Sequence, residues 1–573
     1  RIVGRVRDEF HNCWSNCSDD AQELIDAIKL MADQIDATGS TKPVLQCAAI
    51  LGRTFTIDML QVIAAKYTPI EYHLNKARQQ GVLRRINDTN WSFAHALLHQ
   101  AAYDGMLRPT RITYHGQIAE HLQLNHTDAV MRKPALLAEH LSLAQKHIPA
   151  IESYLSVSQW ALFKGAFDDA EAHVLAAISL CGEAPDNVDV RALKIACHTA
   201  LGSILMQTQG YSAAPVKEAF ETVAKLASGQ NTYSSANGPA FSGSFSHAVI
   251  SGDKAAADQF CGLLRDTAEN IAANQPDHEL SIASLNADTA LHFYTGNFDK
   301  ASSAFSQLRK NYDITKHGAM ISSYGADTFA AAQMFECVTR AVCGDTQVIP
   351  ELIAETDAHQ KLLNIPVMQP WAQIWGAVPL FYAGQLDPAI TRVRKGLETA
   401  TSQSAAFWQV TGRTWLHVMN PSESDSKDGL AGFDQAIKSL EAIGANIGLP
   451  YFRVHYARAL AKHEKFDAAY HVCLQAVREN QASGLNCWYP EVLRMHAKIC
   501  EKQGGATGAS RFRKEAVTIA TKQGAYLWLL RTRLDQWRAE ECSSAQLKEV
   551  VDNFHPKARP PEIQIAHEIL AAV

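Results

Sequence analysis

Gly165-Ala-Phe167-Asp-Asp-Ala170 is the stretch that decides the fold, because it returns along the chain at nearly regular intervals. The glycine suits a tight turn between two helices, and the aspartate after the large apolar residue can cap the second helix. The large residue then packs between helices, and the alanine permits their close approach. The stretch therefore predicts a repeated helical hairpin. Its further copies are Gly296-Asn-Phe298-Asp-Lys-Ala301, Gly384-Gln-Leu386-Asp-Pro-Ala389 and the degenerate Glu464-Lys-Phe466-Asp-Ala-Ala469.

The spacing of these turns indicates one architecture for most of the chain. Successive steps from Gly165 are 45, 42, 44, 48, 40, 80 and 40 residues, and 80 is about two units. A period near forty residues is typical of stacked helical hairpins, which bury their apolar faces only against neighbours and so form a superhelix with a concave surface. We assign residues 135–573 to an all-α, tetratricopeptide-like solenoid, with loops between units at 228–239 and 420–428. Weaker turns lie at Gly210-Tyr211, Gly252-Asp253, Gly344-Asp345 and Gln503-Gly504.

A different pattern precedes the solenoid. Three helical runs are followed by two short extended pieces, Val82–Ile86 and Trp91–Phe93, which the turn-forming Asn87-Asp-Thr-Asn90 joins. Three helices and a small hairpin predict a winged-helix-like domain over residues 42–120. A helical lead-in over 1–41 and a connector over 121–134 complete the predicted domains. The helical runs are 43–51, 57–66 and 70–80, and a further helix is predicted over 94–107.

Composition limits the classes of function. The chain has 573 residues and is 47% hydrophobic, which is ample for a buried core. Its 53 basic and 59 acidic residues give a net charge of −6 without a field for a polyanion, so nucleic acid is not the expected partner. With neither a leader nor an apolar run of membrane-spanning length, and with twelve mostly isolated cysteines, we expect a cytoplasmic protein without membrane contact. Because the chain opens at Arg1, we expect it to be part of a longer polypeptide.

Several clusters could carry chemistry, and each has a simpler interpretation. His11, Cys13 and Cys17 lack the second ligand pair of a closed zinc site. His95 and His99 are spaced to share a helix face, but Ala96 stands where a zincin motif has glutamate, so no metal is predicted. The adjacent pairs Asp19-Asp20 and Asp168-Asp169 diverge on a helix and are expected to be solvated caps. The tryptophans are expected to anchor helix packing, with a groove ligand left open for a few: Trp160, Trp371, Trp375, Trp408, Trp415, Trp488 and Trp528.

The winged-helix-like region also allows DNA binding to be considered. Between Lys42 and Glu120 there are nine basic and five acidic residues, and several basic ones fall on the predicted third helix and wing. The excess is modest, so DNA binding is the weaker interpretation. The basic residues concerned are His73, Lys76, Arg78, Arg84 and Arg85.

Two sets of motifs carry a family resemblance. Ala48-Ala-Ile-Leu-Gly-Arg-Thr-Phe55, Gly81-Val-Leu-Arg-Arg85 and Phe93-Ala-His95-Ala-Leu-Leu-His-Gln-Ala-Ala-Tyr103 resemble the region after the NTPase core of STAND signalling ATPases. The resemblance is strongest to those fused to class III adenylate or guanylate cyclases. The downstream motifs, similar to the carboxyl-terminal repeats of the same proteins, are Gly448-Leu-Pro-Tyr-Phe452, Trp488-Tyr-Pro-Glu-Val-Leu-Arg-Met495 and Gly524-Ala-Tyr-Leu-Trp528 with Leu530-Arg531.

The resemblance implies a nucleotide-binding core, and optionally a cyclase, upstream of this chain. The chain has no Gly-x-x-x-x-Gly-Lys-Ser/Thr stretch, so ATP or ADP is expected on the upstream domain and no cofactor here. The resemblance also implies that His95 contacts the phosphate of the bound nucleotide. The alternative is that His95 packs against Phe93 and Tyr103 or caps its own helix.

These observations favour a non-catalytic regulatory and protein-interaction region of a signalling ATPase. A protein partner on the concave surface of the solenoid would be sensed, and the winged helix would transmit its binding to the upstream nucleotide switch. Two alternatives remain. The chain is part of a class III adenylate or guanylate cyclase whose catalytic domains lie upstream, or it is a free-standing adaptor.

Overall fold

The computed structural model describes residues 29–125, 135–210, 213–227, 237–272, 278–424 and 426–572. His11, Cys13, Cys17, Asp19-Asp20 and most of the predicted loop at 228–239 lie outside these residues. The chain divides into two compact units: unit 1 comprises residues 1–157 and 176–185, and unit 2 comprises 158–175 and 186–573. Among the described residues, no helix combines the length and the apolar character needed to cross a bilayer.

Unit 1 begins with short helices around a small sheet. The sheet is antiparallel in the order β1-β3-β2, with Thr54 opposite Ser92 and Leu83 opposite Phe93. Phe55, Trp91 and Phe93 are buried in a core shared with the helices. The elements are α1 (Lys42–Ile50), β1 (Thr54–Thr56), α2 (Ile57–Ala64), α3 (Ile70–Gln79), β2 (Leu83–Arg85), β3 (Asn90–Phe93), α4 (Ala96–Asp104), α5 (Arg108–Asn125) and α6 (Leu136–Leu143).

Three details of this region differ from the sequence prediction. The sequence does not predict strand β1, because its three residues are too few to show the alternation of a strand. The helix expected over 94–107 begins at Ala96, since the backbone of His95 is extended and His95 is its N-cap. Helix α5 runs through residue 120, so the predicted end of the first domain falls inside a helix.

The rest of the chain is almost entirely helical. Helices α7 (His147–Lys164) and α8 (Phe167–Glu183) each contribute residues to both units. The helices of unit 2 that follow are α9 (Val188–Thr208), α10 (Ala214–Ala227), α11 (Gly238–Ser251), α12 (Lys254–Ala272), α13 (Glu279–Tyr294), α14 (Phe298–Asn311), α15 (Ile314–His317), α16 (Ile321–Tyr324), α17 (Thr328–Val342), α18 (Ile349–Leu363), α19 (Gln369–Tyr382), α20 (Leu386–Ser402), α21 (Ala406–Met419), α22 (Lys427–Ala442), α23 (Leu449–Lys462), α24 (Phe466–Ser483), α25 (Tyr489–Lys502), α26 (Ala506–Gln523), α27 (Tyr526–Arg538), α28 (Ser544–Val551) and α29 (Pro561–Ala571).

The predicted turns join the two helices of each hairpin. All eight turn residues have a positive φ, and the non-glycine among them is Glu464, with φ of 57°. The all-α hairpin solenoid predicted from the turns is therefore confirmed. The step of 80 residues contains hairpin α21–α22, whose turn is the 3-10 segment Pro421–Ser424. The loop predicted at 420–428 thus lies within a hairpin rather than between two.

A second set of turns, which the sequence analysis does not identify, joins successive hairpins. Residues 364, 404, 444, 484 and 524 all have positive φ and are forty residues apart. Together with the turns at 344, 384, 464 and 504, they fix a register of twenty residues for each helix and its turn. Asn364 and Ser404 occupy positions that glycine fills in later repeats, which hides this period in the sequence.

The two helices of a hairpin have different surroundings. Ten of the fourteen residues of α19 are buried but only four of the seventeen of α20, and these four, Ala389, Val393, Gly396 and Ala400, form one stripe. The same contrast holds for α23 and α24. An element buried on all sides lies inside a stack, whereas one with a single apolar stripe covers its surface. The first helix of each of these hairpins is therefore the inner helix of the superhelix.

Turns far apart in the sequence meet and close the superhelix on itself. The backbone N–H groups of Asn446 and Ile447 donate to the carbonyl of Ile250 at 2.9 and 3.1 Å. The side-chain amide of Asn446 donates to the carbonyl of Ser251 at 2.9 Å. We call these three hydrogen bonds the closing contact. Further along the superhelix, the N–H of Cys487 donates to the carbonyl of Tyr294 at 3.1 Å.

Gly210 lies beside the turn after α22, at Ile443, so a substitution at Gly210 is a test of the closure. A Cβ at Gly210 would stand 2.6 Å from Cβ of Ile443, whereas a Cβ at Gly504 has no atom within 4 Å. Both glycines have positive φ, so alanine at either costs about 1–2 kcal/mol. We expect Gly210→Ala to lower the free energy of unfolding by about 1–3 kcal/mol more than Gly504→Ala, because the new methyl group separates the two turns.

Urea unfolding measures the difference between the two variants, and hydrogen exchange locates it. Peptides covering residues 443–447 are expected to exchange faster in Gly210→Ala and at the wild-type rate in Gly504→Ala. Equal behaviour of the two variants would show that this contact does not hold the superhelix closed.

Candidate functional site

The inner helices of unit 2 enclose a cavity of about 200 Å³. Its wall is formed by α9, α11, α13, α17, α19 and α21, together with the start of α23 and Trp488. Most large side chains of the wall are apolar or aromatic, and none is charged. The aromatic ones are Phe245, Tyr294, Tyr324, Phe335, Trp371, Trp375, Phe407, Trp408, Trp415, Phe452 and Trp488. Five of the seven tryptophans singled out from the sequence therefore lie around one space. Of the others, Trp528 is buried in the core and Trp160 is 56% exposed.

The tryptophans of the wall contact one another edge to face. The rings of Trp375 and Trp415 are 6.3 Å apart at 69°, and those of Trp375 and Trp488 are 6.4 Å apart at 83°. Such geometry is favourable for aromatic pairs and fixes the orientation of each ring. The indole N–H of Trp488 donates to the hydroxyl of Tyr382 at 3.0 Å. These contacts hold the wall in a defined shape.

Four buried polar atoms on residues that line the cavity have no hydrogen-bond partner among the described residues. They are Nε1 of Trp375, Nε1 of Trp415, Oγ1 of Thr411 and Oδ1 of Asn286. A buried polar group without a partner costs about 1–3 kcal/mol. The interior is therefore apolar with a small set of unsatisfied hydrogen-bonding groups, as in many small-molecule pockets.

A buried charge network joins α25 to α27. Glu491 accepts two hydrogen bonds from Arg494, both at 2.7 Å, and Arg494 also donates to Asp535 at 2.6 Å. Arg531 bridges Glu491 and Glu562. Burial alone would raise the pKa of Glu491, but the guanidinium groups of Arg494 and Arg531 hold it well below its ordinary value. Glu491, Arg494 and Arg531 belong to the downstream motifs quoted above, so these motifs encode the network.

Removal of one member of the network is expected to destabilise the fold strongly, because the remaining charges stay buried. In Glu491→Gln, Arg494 and Arg531 remain buried without their shared carboxylate, and breaking such a pair costs about 3–5 kcal/mol of the free energy of unfolding. The exposed pair of Lys548 and Asp552 provides the control, and Asp552→Asn is expected to cost less than about 0.5 kcal/mol. Chemical denaturation measures both variants, and similar small losses would contradict this role of the network.

Unit 1 contains a buried histidine pair. Nδ1 of His115 lies 2.8 Å from Nδ1 of His140, and Nε2 of His115 lies 2.9 Å from the hydroxyl of Tyr103. Burial lowers the pKa of His115 to about 3, assisted by His140 and Arg111, and burial lowers the pKa of His140 to about 4. The pair links α5 to α6 while both rings are neutral.

Acid is expected to loosen this link. The unfolded chain protonates histidine near pH 6.5 and the folded pair does so only near pH 4, so stability is lost as the pH falls between these values. Each buried histidine contributes a loss of about 2 kcal/mol between pH 6.5 and pH 5. We compare pH 6.5 with pH 5. On this acidification, the protection of α5 and α6 against hydrogen exchange, corrected for intrinsic rates, is expected to fall less in His140→Leu than in the wild type. His73→Gln, at a partly exposed histidine, is expected to follow the wild type.

The residues singled out in the first domain are separate from this pair. Nδ1 of His95 accepts the N–H of Leu97 at 3.3 Å, so His95 caps its own helix. Nε2 of His99 lies 3.0 Å from the carbonyl of Ala49. Because His95 precedes the helix, the two rings do not share a helix face as the sequence analysis expects. No group of three or more metal-ligating side chains occurs within the described ranges.

The remaining predicted residues are mostly solvated. Asp168 and Asp169 are exposed in the first turn of α8. Arg78, Arg84 and Arg85 are exposed, and Arg85 pairs with Asp88 at 2.9 Å. Lys76 and His73 are partly buried, and His73 lies 3.3 Å from Oγ1 of Thr41. The ten cysteines of the described part form no disulfide with one another, and eight of them are buried.

The fold makes unit 2 a solenoid of helical hairpins of the tetratricopeptide type. No family model matches the chain. An uncharacterized protein of Rhizobium meliloti is 22% identical over 535 residues, which are 88% of this chain and 49% of that protein. The chain thus spans about half the length of the curated relative it matches.

Three solved structures are similar to this chain. A Rap protein complexed with competence and sporulation factor is 11% identical over 66% of this chain and 99% of its own, with a TM-score of 0.48. A STAND protein with a tetratricopeptide-repeat sensor, from Pyrococcus horikoshii, is 8% identical over 93% of this chain and 64% of its own, with a TM-score of 0.30. Yeast Tom70 is 13% identical over 81% of this chain and 92% of its own, with a TM-score of 0.30.

Proposed function

We propose that this chain is the non-catalytic regulatory and protein-interaction region of a signalling ATPase. In this proposal the solenoid recognises a partner, and the region over 42–120 passes the state of the solenoid to a nucleotide-binding domain elsewhere in the polypeptide. The observation that carries the proposal is the closed superhelix with a shaped interior. A ligand shifts an equilibrium between two states only through its differential affinity for them, and opening the closing contact supplies a second state.

The arrangement over 42–120 supports a winged-helix-like domain within this proposal. One helix and a strand are followed by two helices and two strands, and β3 lies between β1 and β2 in the sheet. Strands β2 and β3 and the turn between them correspond to the wing. Arg84 and Arg85 project from β2 into solvent, where a neighbouring domain with an acidic surface could contact them.

The position of His95 supports its assignment as the contact to nucleotide phosphate. Because Nδ1 accepts a hydrogen bond from the N–H of Leu97, the proton of the neutral ring is on Nε2. The ring is exposed at the N-terminus of α4, where backbone N–H groups favour an anion. His95 thus offers a donor to a phosphate oxygen brought by another domain.

The interior is too small for a folded protein partner, so such a partner is expected to bind elsewhere than the sequence predicts. The repeat pattern predicts the partner on the concave surface, but the inner helices of that surface leave a cavity of about 200 Å³, which does not admit a folded protein. Within this proposal a folded partner contacts the exposed outer helices, and the interior is left for a smaller ligand.

The longer polypeptide that contains this chain tests the proposal. We expect it to retain ADP, and we expect His95→Ala to accelerate ADP release about fivefold or more, because a hydrogen bond to a charged group contributes about 1.5–3 kcal/mol. Release of a fluorescent ADP analogue measures the rate. The control is His73→Ala, since the ring of His73 is directed to Thr41 within unit 1.

Two results would count against this proposal. A longer polypeptide that binds no nucleotide would favour the free-standing adaptor. Unchanged ADP release in His95→Ala would remove His95 from the switch. Production of a cyclic nucleotide by the longer polypeptide would instead support the cyclase as its catalytic part.

A further inference from the structure

The wall of the interior cavity contains no charged side chain among the described residues that form it. One residue in five of the whole chain is charged, so an uncharged wall of this extent is a specific property of the site. Burying an ion in such surroundings is costly, because no opposite charge replaces its hydration. The wall therefore selects against anionic and cationic ligands.

The same wall is poorly suited to an extended peptide as a ligand. Each residue of a peptide brings a backbone N–H and a carbonyl that need partners when they are buried. The polar side chains of the wall are few, and the carboxamides among them are those of Gln207 and Asn286. The aromatic rings offer flat apolar surfaces instead, which suit a rigid molecule with few polar groups.

The cavity offers a ligand shape and apolar contact rather than free donors. Nε1 of Trp375, Nε1 of Trp415 and Oγ1 of Thr411 lack partners, but these atoms are fully buried within the protein, so a ligand in the cavity does not reach them. Trp375 belongs to α19 and Trp415 to α21, so two successive hairpins supply rings to the wall.

We propose that the interior of unit 2 is a binding site for a small, uncharged and largely apolar molecule that packs against the aromatic rings of the wall. Flat aromatic ketones, esters and lactones belong to this class. The site deepens the proposed function, since its ligand would be the signal that the solenoid senses. Binding is measured on this chain alone, so failure here is distinguishable from failure of the nucleotide switch.

The probe for the experiment is 6-propionyl-2-(dimethylamino)naphthalene, a neutral fluorophore with one ketone. We expect saturable binding of one molecule per chain, a blue shift of its emission and energy transfer from the tryptophans. The anionic probe 8-anilinonaphthalene-1-sulfonate has a similar size and is expected to compete at least tenfold more weakly, because its sulfonate finds no partner in the wall.

Matched variants locate the probe. Ala331→Phe fills the cavity, since Ala331 is in its wall, and is expected to lower affinity at least tenfold. Ala431→Phe adds the same group to the exposed face of α22 and is expected to leave affinity unchanged. Ala326→Phe, at another wall position, replaces Ala331→Phe if that variant does not fold by circular dichroism.

Three outcomes would overturn the proposal. The first is the absence of saturable binding of the neutral probe to the wild type. The second is equal affinity of the cavity-filling variant and Ala431→Phe. The third is competition by the anionic probe at the same concentration as the neutral one.

Discussion

The hydrogen bonds of the Ile250 and Ser251 carbonyls to Asn446 and Ile447 are the constraint on which the rest of unit 2 depends. They join the turn after α11 to the turn after α22, nearly two hundred residues further along the chain. A hairpin array held only by nearest neighbours can vary its curvature with little cost. Once distant turns are hydrogen-bonded, the curvature is fixed, and the inner helices have to fill the space they enclose.

This constraint explains why the interior is built from large rings and paired charges. The inner helices face one another across the axis, so tryptophan and tyrosine side chains from different hairpins meet there. Trp488 contacts rings of α13, α19 and α23, all within 6.4 Å between centroids. The charges of α25 and α27 are tolerated at the same depth because each carboxylate of Glu491 and Asp535 has guanidinium partners. The motifs of this region are therefore packing motifs of the closed superhelix.

The elements of this fold can be predicted from the sequence because local signals specify them. Gly165, Gly296 and Gly384 mark turns by a conformation that glycine adopts freely, and the period follows from their spacing. Asn364 and Ser404 adopt the same conformation without glycine, and β1 has three residues, so neither feature has a local signal. The cavity could not be predicted, because it depends on which hairpins meet across the axis. The tryptophans were the available signal, and only the closure shows that five of them share one space. The sequence pattern predicts His95 inside a helix, whereas its N-cap position depends on the extended backbone after β3, which has no local signal.

Closure also makes the interior a means of coupling. The wall of the cavity is drawn from both sides of the closing contact, with Ile250 on one side and Ile447 on the other. A molecule in the cavity contacts both sides only while the superhelix is closed, so its affinity for the closed state exceeds its affinity for the open one. By linkage, occupancy stabilises closure by that difference, and a domain that binds only the closed form gains the same free energy. The absence of charge from the wall limits this difference to apolar contact and a few hydrogen bonds, which are largely insensitive to salt. In the proposed function, the signal that unit 2 would transmit is thus set by the shape of its interior rather than by its net charge.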